Sequence, residues 1–480
     1  MTPLDVDVAI IGAGTAGMAA YRAARVHTDR ILLIEAAQYG TTCARVGCMP
    51  SKLLIAAADA AQQVREAHHF GVTAGAPQID GRAVMQRVRS ERDRFVGFVL
   101  ESVHGWPEAT RRLGSAHFLD ANTLDVDGQV VRARRIVIAT GSRPRIPEGW
   151  RERLGNRLIV NDDVFDWVDL PASVAVVGAG VIGLELAQAL HRLGVRVRLF
   201  ARGHRVGPLT DPELQALAAS LFATALPLTL HADTLDPQLQ AHQVHLGDEA
   251  FDALLCATGR LPNLEHLGLE GVAGLDALHL PRDARGQPVV DAHTGRWGDS
   301  HLFIAGDVTG DRPLLHEAAD SGRIAGDNAG RWPDVHRRPR RAPLAVVFSD
   351  PQIALAGASH AELTTSGTAF ATGRVSFADQ GRSRVMGVNR GALHVYAEAA
   401  TGRLLGAEMI GPAAEHIGHL LAWSVQRRDT VQHMLDSPFY HPVVEEGLRT
   451  ALRDLERHLH LPSPPIESCL DCDTAAEAGP

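Results

Sequence analysis

The sequence predicts an α/β chain in which two similar strand–turn–helix units precede a C-terminal α+β unit. Three observations carry that prediction. A β-branched run, a G-x-G-x-x-G turn and an Ala-rich stretch occur in succession over residues 8–20, with the turn written Gly12-Ala13-Gly14-Thr15-Ala16-Gly17. The same succession returns over 174–190, as Gly178-Ala179-Gly180-Val181-Ile182-Gly183. Beyond an arginine- and proline-rich stretch at 331–341 the pattern changes, β-rich near 344–358 and 392–410 and helical near 413–458.

Bulk properties bound the rest. A chain of 480 residues exceeds one hydrophobic core, so two to four domains are expected. Lys plus Arg number 47 against 56 Asp plus Glu, a net charge of −9 that gives no reason to expect nucleic acid or an anionic membrane as partner. No apolar run approaches the roughly 20 residues that span a bilayer. The first strand, Val6-Asp7-Val8-Ala9-Ile10-Ile11, starts too early to leave room for a signal peptide, so a cytoplasmic protein is expected. In that compartment thiols stay reduced, and the five cysteines, an odd number, do not form a disulfide scaffold.

Taken in order, the first unit places its glycine turn between strand and helix. There the backbone can approach a pyrophosphate closely and the helix N-terminus faces it. Glu35 ends the next strand, Ile31-Leu32-Leu33-Ile34. Apolar runs ending in Ala-Thr-Gly follow at Arg135–Gly141 and Ala253–Gly259, and Leu302–Asp307 is a short strand ending on an acid. Two such glycine turns in the same context imply two bound dinucleotides, or two halves of an electron-transfer enzyme.

The sharpest feature is Thr42-Cys43-Ala44-Arg45-Val46-Gly47-Cys48-Met49-Pro50-Ser51-Lys52. A disulfide needs Cα atoms about 4.4–6.8 Å apart, which a distorted turn at a helix start provides, and Gly47 and Pro50 suit that turn. A helix N-terminus and Lys52 would both favour thiolate. The alternative is a pair of buried thiols that never react.

Cys43-x4-Cys48-x-Pro50-Ser51-Lys52, with both glycine turns, resembles the class I pyridine nucleotide–disulfide oxidoreductases over about residues 5–460, nearest the dihydrolipoamide dehydrogenase branch. The resemblance implies two Rossmann-like dinucleotide-binding domains plus a C-terminal α+β dimerisation domain. Residues 1–145 and 266–335 would bind FAD, 146–265 NAD(P), and 342–460 would form the subunit interface. Residues 461–480 would be a flexible tail. It implies that Gly12, Gly14 and Gly17 bind the FAD pyrophosphate, Glu35 the adenosine ribose and Asp307 the ribityl chain. Lys52 and Glu185 resemble the ion pair beside the flavin. Thr140, Gly141 and Gly259 join the cofactor contacts, and Gly178, Gly180 and Gly183 those of the nicotinamide nucleotide. Cys43 and Cys48 would form the redox-active disulfide, Cys48 facing the flavin and Cys43 the substrate.

His441, in Phe439-Tyr440-His441-Pro442, is followed five positions later by Glu446, as in the family's acid–base pair. The resemblance places this histidine in the other subunit's site, so a homodimer is expected. The strand Val195–Phe200 ends at Ala201, where NAD enzymes usually carry an acid, and Arg202 and Arg205 follow. This departure favours NADP slightly over NAD. Leu314–Ala319 and Ala257–Asn263 pull toward the dihydrolipoamide branch, making a lipoyl dithiol the expected substrate.

A second reading is an NADPH-dependent reductase of another disulfide or of mercuric ion, relaying electrons through Cys469 and Cys472, 28 and 31 residues after His441. The His441–Glu446 pair argues against metal reduction. A third is a non-catalytic flavoprotein subunit, against which the Cys pair, Lys52 and His441 argue. One C-x-x-C cannot build a four-ligand zinc site within a chain, and no metal site is expected.

Overall fold

In the computed structural model the described residues are 2–270, 272, 274, 275, 278 and 280–459. Cys469, Cys472 and the expected tail lie outside them. The first sheet takes its parallel core from Leu4–Ile11, flanked by Ile31–Glu35 on one side and Gln129–Ile138 on the other. Ile10 sits opposite both Leu33 and Val137. Val8, Ile10 and Leu33 face one core layer while Ala9, Ile11 and Ile34 face another, so residues 8–11 and 31–34 are apolar without alternation. On its other edge Gln129–Ile138 serves two further partners: its first half pairs antiparallel with Thr123–Val126, its second half parallel with Leu302–Ile304. The chain thus returns to its first sheet after building the second.

Helix Thr15–Ala24 packs along helix Leu315–Arg331, and glycines set the approach. A Cβ at Gly322 would lie 2.2 Å from Ala16 O, and one at Gly326 2.2 Å from Ala20 O. The second sheet is all parallel, in the order Leu228–Thr229, Arg196–Phe200, Ser173–Val177, Ala253–Cys256, Leu158–Ile159.

The C-terminal unit is a five-stranded antiparallel sheet with helices Ala414–Arg427 and Glu446–His458 packed on it. Ile417, Leu421, Leu448, Leu452 and Leu455 meet Val395, Ala407 and Met409 in one core. Its edge strand, Phe370–Ser376, was not legible in the sequence because Gly373 interrupts the pattern. The glycine is required there: a Cβ would lie 2.2 Å from Ala451 O of the covering helix. Among the described residues, no helix is long and apolar enough to cross a membrane.

Candidate active site

The two glycine turns repeat one geometry. A Cβ at Gly12 would sit 2.3 Å from Ala139 O, and at Gly178 2.2 Å from Ala257 O. A Cβ at Gly17 or Gly183 would sit 1.8 Å from the carbonyl of Gly12 or Gly178. These four positions must be glycine for strand and helix to meet. Gly14 and Gly180 are different, because nothing lies within 4 Å of a Cβ there. Each caps a helix without a side-chain hydrogen bond, leaving backbone N–H groups facing open space. That arrangement fits a diphosphate in both cradles.

The walls of the first cradle also fit a flavin dinucleotide. Glu35 Oε2 accepts from Ala13 N at 2.8 Å, which holds the carboxylate over the glycine turn. Thr140 Oγ1 donates to Asn263 O at 2.6 Å, tying the two Ala-Thr-Gly strand ends together. Gly141 and Gly259 have φ of +69° and +110°, with open space where a Cβ would be. Ser142 Oγ donates to Asp307 Oδ2 at 3.1 Å, and burial pushes the Asp307 carboxyl above its usual range. Ser142, itself held by Arg260 Nε at 2.8 Å, is absent from the sequence reading. In the second unit the position matching Glu35 is Ala201, 1% exposed, with Arg202 and Arg205 on the exposed loop beyond.

The cysteine segment is two helices rather than one distorted turn. Thr42–Val46 carries Cys43, and Cys48 begins Cys48–Glu66 after a break at Gly47. A Cβ at Gly47 would lie 3.1 Å from Cys43 Cα, so the glycine lets the halves close on each other. Burial and the adjacent Cys48 sulfur raise the Cys43 thiol well above its ordinary value, Cys48 being the larger cause. Cys48 moves the other way, down to about 7. Its largest cause is the Cys43 thiol, which can donate its S–H; burial opposes, and Lys52 adds a smaller pull. Lys52 therefore ranks behind the partner cysteine as a source of thiolate character.

Lys52 Nζ lies 2.6 Å from Glu185 Oε2, and the Glu185 side chain is only 5% exposed. Glu185 Oε1 accepts from Phe348 N at 2.9 Å, and Lys52 Nζ stands 4.7 Å over the Phe348 ring. Three units thus meet at one carboxylate. Because Cys48 is lowered to about 7, its alkylation rate in the reduced protein is expected to climb through pH 7, with thiolate dominant above. In Lys52→Met the midpoint should rise by about one pH unit. Iodoacetamide kinetics against pH check this, and an unchanged midpoint would remove Lys52 from the thiol's environment.

His441 stands apart, in the C-terminal unit, with its side chain 80% exposed. Its Nδ1 faces Glu446 Oε1 at 3.0 Å and Oε2 at 3.2 Å. Although burial opposes it, His441, Val443 N–H and Arg449 together hold the Glu446 carboxyl below its usual range. No group of three or more potential metal ligands occurs among the described residues.

Two nucleotide cradles, a paired thiol site and a C-terminal antiparallel unit define a flavin- and nicotinamide-linked disulfide oxidoreductase. Residues 6–322 match the family described as pyridine nucleotide-disulphide oxidoreductase, and 344–452 match its dimerisation domain. The chain belongs to this family, which depends on FAD and uses NAD(P)H. It is similar to the mercuric reductase of Acidithiobacillus ferrooxidans, 31% identical over 94% of this chain and 83% of that one. It is also similar to the dihydrolipoyl dehydrogenase of Chlamydia muridarum, 28% identical over 95% of this chain and 98% of that one. The HOCl-induced flavoprotein disulfide reductase RclA from Escherichia coli shares the fold. Its TM-score is 0.77 at 24% identity, covering 93% of this chain and 99% of that one.

Proposed function

We propose that the chain is a homodimeric oxidoreductase moving electrons between NAD(P)H and a dithiol/disulfide through Cys43 and Cys48, with a lipoyl group as its substrate. The two cysteines brought together across the break at Gly47, with Lys52, paired to Glu185, on the helix that Cys48 begins, carry this reading, and the lowering of the Cys48 thiol agrees with it. A nucleophile that must start as thiolate is lowered, and its partner holds its proton until a base removes it.

FAD, when bound, supplies the two-electron link between nicotinamide and cysteine pair. In the reducing direction Cys43, deprotonated by His441 of the partner subunit, attacks the substrate disulfide. A mixed disulfide forms and the first substrate thiolate leaves, taking the proton from the imidazole. Cys48 thiolate then attacks the Cys43 sulfur, closing the intramolecular disulfide and expelling the second thiolate. NAD(P)H restores the dithiol, so one disulfide, one NAD(P)H and one proton give two thiols and NAD(P)+. Glu446 orients the imidazole and supports its positive charge.

Assays with lipoamide, glutathione disulfide and oxidised thioredoxin, each with NADH and NADPH, test the assignment. Lipoamide is expected to react fastest; failure of all three would overturn it. The similarity to mercuric reductases favours one second reading, reduction of mercuric ion, and mercuric-dependent NADPH oxidation in the same assay would replace the first. The basic edge at Arg202 and Arg205 supports NADP(H), since charged hydrogen bonds to a 2′-phosphate contribute about 1.5–3 kcal/mol each. Arg202→Ala is expected to raise KM for NADPH about 10- to 100-fold and leave KM for NADH within about twofold. Equal effects on both nucleotides would refute 2′-phosphate recognition.

A further inference from the structure

The loop 201–211 leaves strand Arg196–Phe200 and carries Arg202, His204 and Arg205 on its exposed side. Its start is fastened within its own unit: Ala201 N donates to Thr229 O at 2.8 Å, and Ala201 O accepts from Ala232 N at 2.9 Å. Its middle touches the second glycine turn, where Gly207 N donates to Ala179 O at 2.8 Å. Its end is tied to a different unit. Thr210 N donates to Glu408 Oε2 at 2.6 Å, Asp211 N donates to the same oxygen at 3.1 Å, and the Thr210 hydroxyl donates to Oε1.

Glu408 lies on strand Leu404–Gly411 of the C-terminal sheet and is 0% exposed. The fourth donor to it is His360 N, at 2.9 Å. None of the four carries a charge, and among the described residues no ion pair reaches this carboxylate. A buried carboxylate is held there by neutral donors alone, three of the four from residues 210 and 211. A second tie runs beside it. Asp211 Oδ2 faces His394 Nδ1 at 2.8 Å and accepts from Tyr396 OH at 3.2 Å, both on strand Ala392–Glu398. His394, Asp211 and Tyr396 are all buried.

We infer that Glu408 is a positioning residue for the pyridine nucleotide: by holding Thr210 and Asp211 it fixes the 201–211 loop, so the C-terminal unit sets the adenosine end of the nucleotide site. The inference rests on reading that loop as a nucleotide contact. A loop anchored at both ends loses less freedom when a ligand orders it, which lowers the cost of binding. The adenosine half takes no part in hydride transfer, so loosening the anchor acts on nucleotide affinity.

Glu408→Gln tests this at constant volume, since an amide NH2 cannot accept the N–H or O–H bonds one oxygen now takes. KM for the reduced nicotinamide and Ki for ADP-ribose, a probe common to NADH and NADPH, are expected to rise about tenfold together. Saturated kcat, flavin content and the pH midpoint of Cys48 alkylation should stay at wild-type values. Thr210→Val removes one of the four bonds and should give about a threefold rise; it decides the matter if the glutamine variant loses flavin or does not fold. KM and Ki within twofold of wild type, or a fall in kcat alone, would overturn the inference. A wild type indifferent to NADPH over NADH, with Glu408→Gln still weakening both, would refute the 2′-phosphate reading and leave the positioning role standing.

Discussion

Cys48→Ser is expected to abolish the long-wavelength charge-transfer absorbance of the two-electron-reduced protein and to lower disulfide turnover by on the order of 10⁴-fold or more. Cys48 is the thiol lowered to about 7, and it begins the helix that also carries Lys52, itself 2.6 Å from Glu185. A serine hydroxyl does not ionise in this range and cannot close a disulfide with Cys43, so donor and relay are lost together. Cys43→Ser should separate the roles. The serine hydroxyl can still donate to Cys48 in place of the Cys43 thiol and Lys52 remains, so the absorbance survives, while exchange with an external disulfide ends. Absorbance that persists in Cys48→Ser and vanishes in Cys43→Ser would interchange the two assignments. Spectra of the reduced variants and their lipoamide rates decide between these outcomes.

What the sequence revealed and what it hid divide along one physical line. The glycine turns were legible because contacts under 2.4 Å from a would-be Cβ leave no other residue for Gly12, Gly17, Gly178 and Gly183. The cysteine segment was legible because both thiols and Lys52 fall within ten residues. His441 and Glu446, matched through the family's His-Pro pattern, are five residues apart and bond directly. The hidden features join distant segments. Glu185 meets Phe348 N across 163 residues, Gln188 Oε1 accepts from Asp350 N across 162, and Glu408 meets Thr210 across 198. Backbone N–H groups are partners in all three, and every non-proline residue offers one, so no side-chain pattern marks them. Gly373 works in the opposite sense: a glycine weakens a strand locally, yet the helix above this one demands it.

His441→Gln is expected to slow lipoamide turnover by about 10²- to 10⁴-fold while flavin content and the Cys48 absorbance remain, since a positioned base contributes that range and binds no cofactor here. Glu446→Gln should cost less, because the amide still accepts from Nδ1 but no longer supports a charged imidazole. The stronger test concerns which subunit the histidine serves. Its 80% exposure and its place in the C-terminal unit leave the ring free to enter a neighbouring site. If it serves the partner, a dimer pairing a Cys48→Ser subunit with a His441→Gln subunit holds one site with neither lesion and one with both. Random reassociation of the two inactive proteins makes half the dimers mixed, so activity should return to about a quarter of wild type. If each histidine served its own subunit, every site in every dimer would carry one lesion and the mixture would stay inactive.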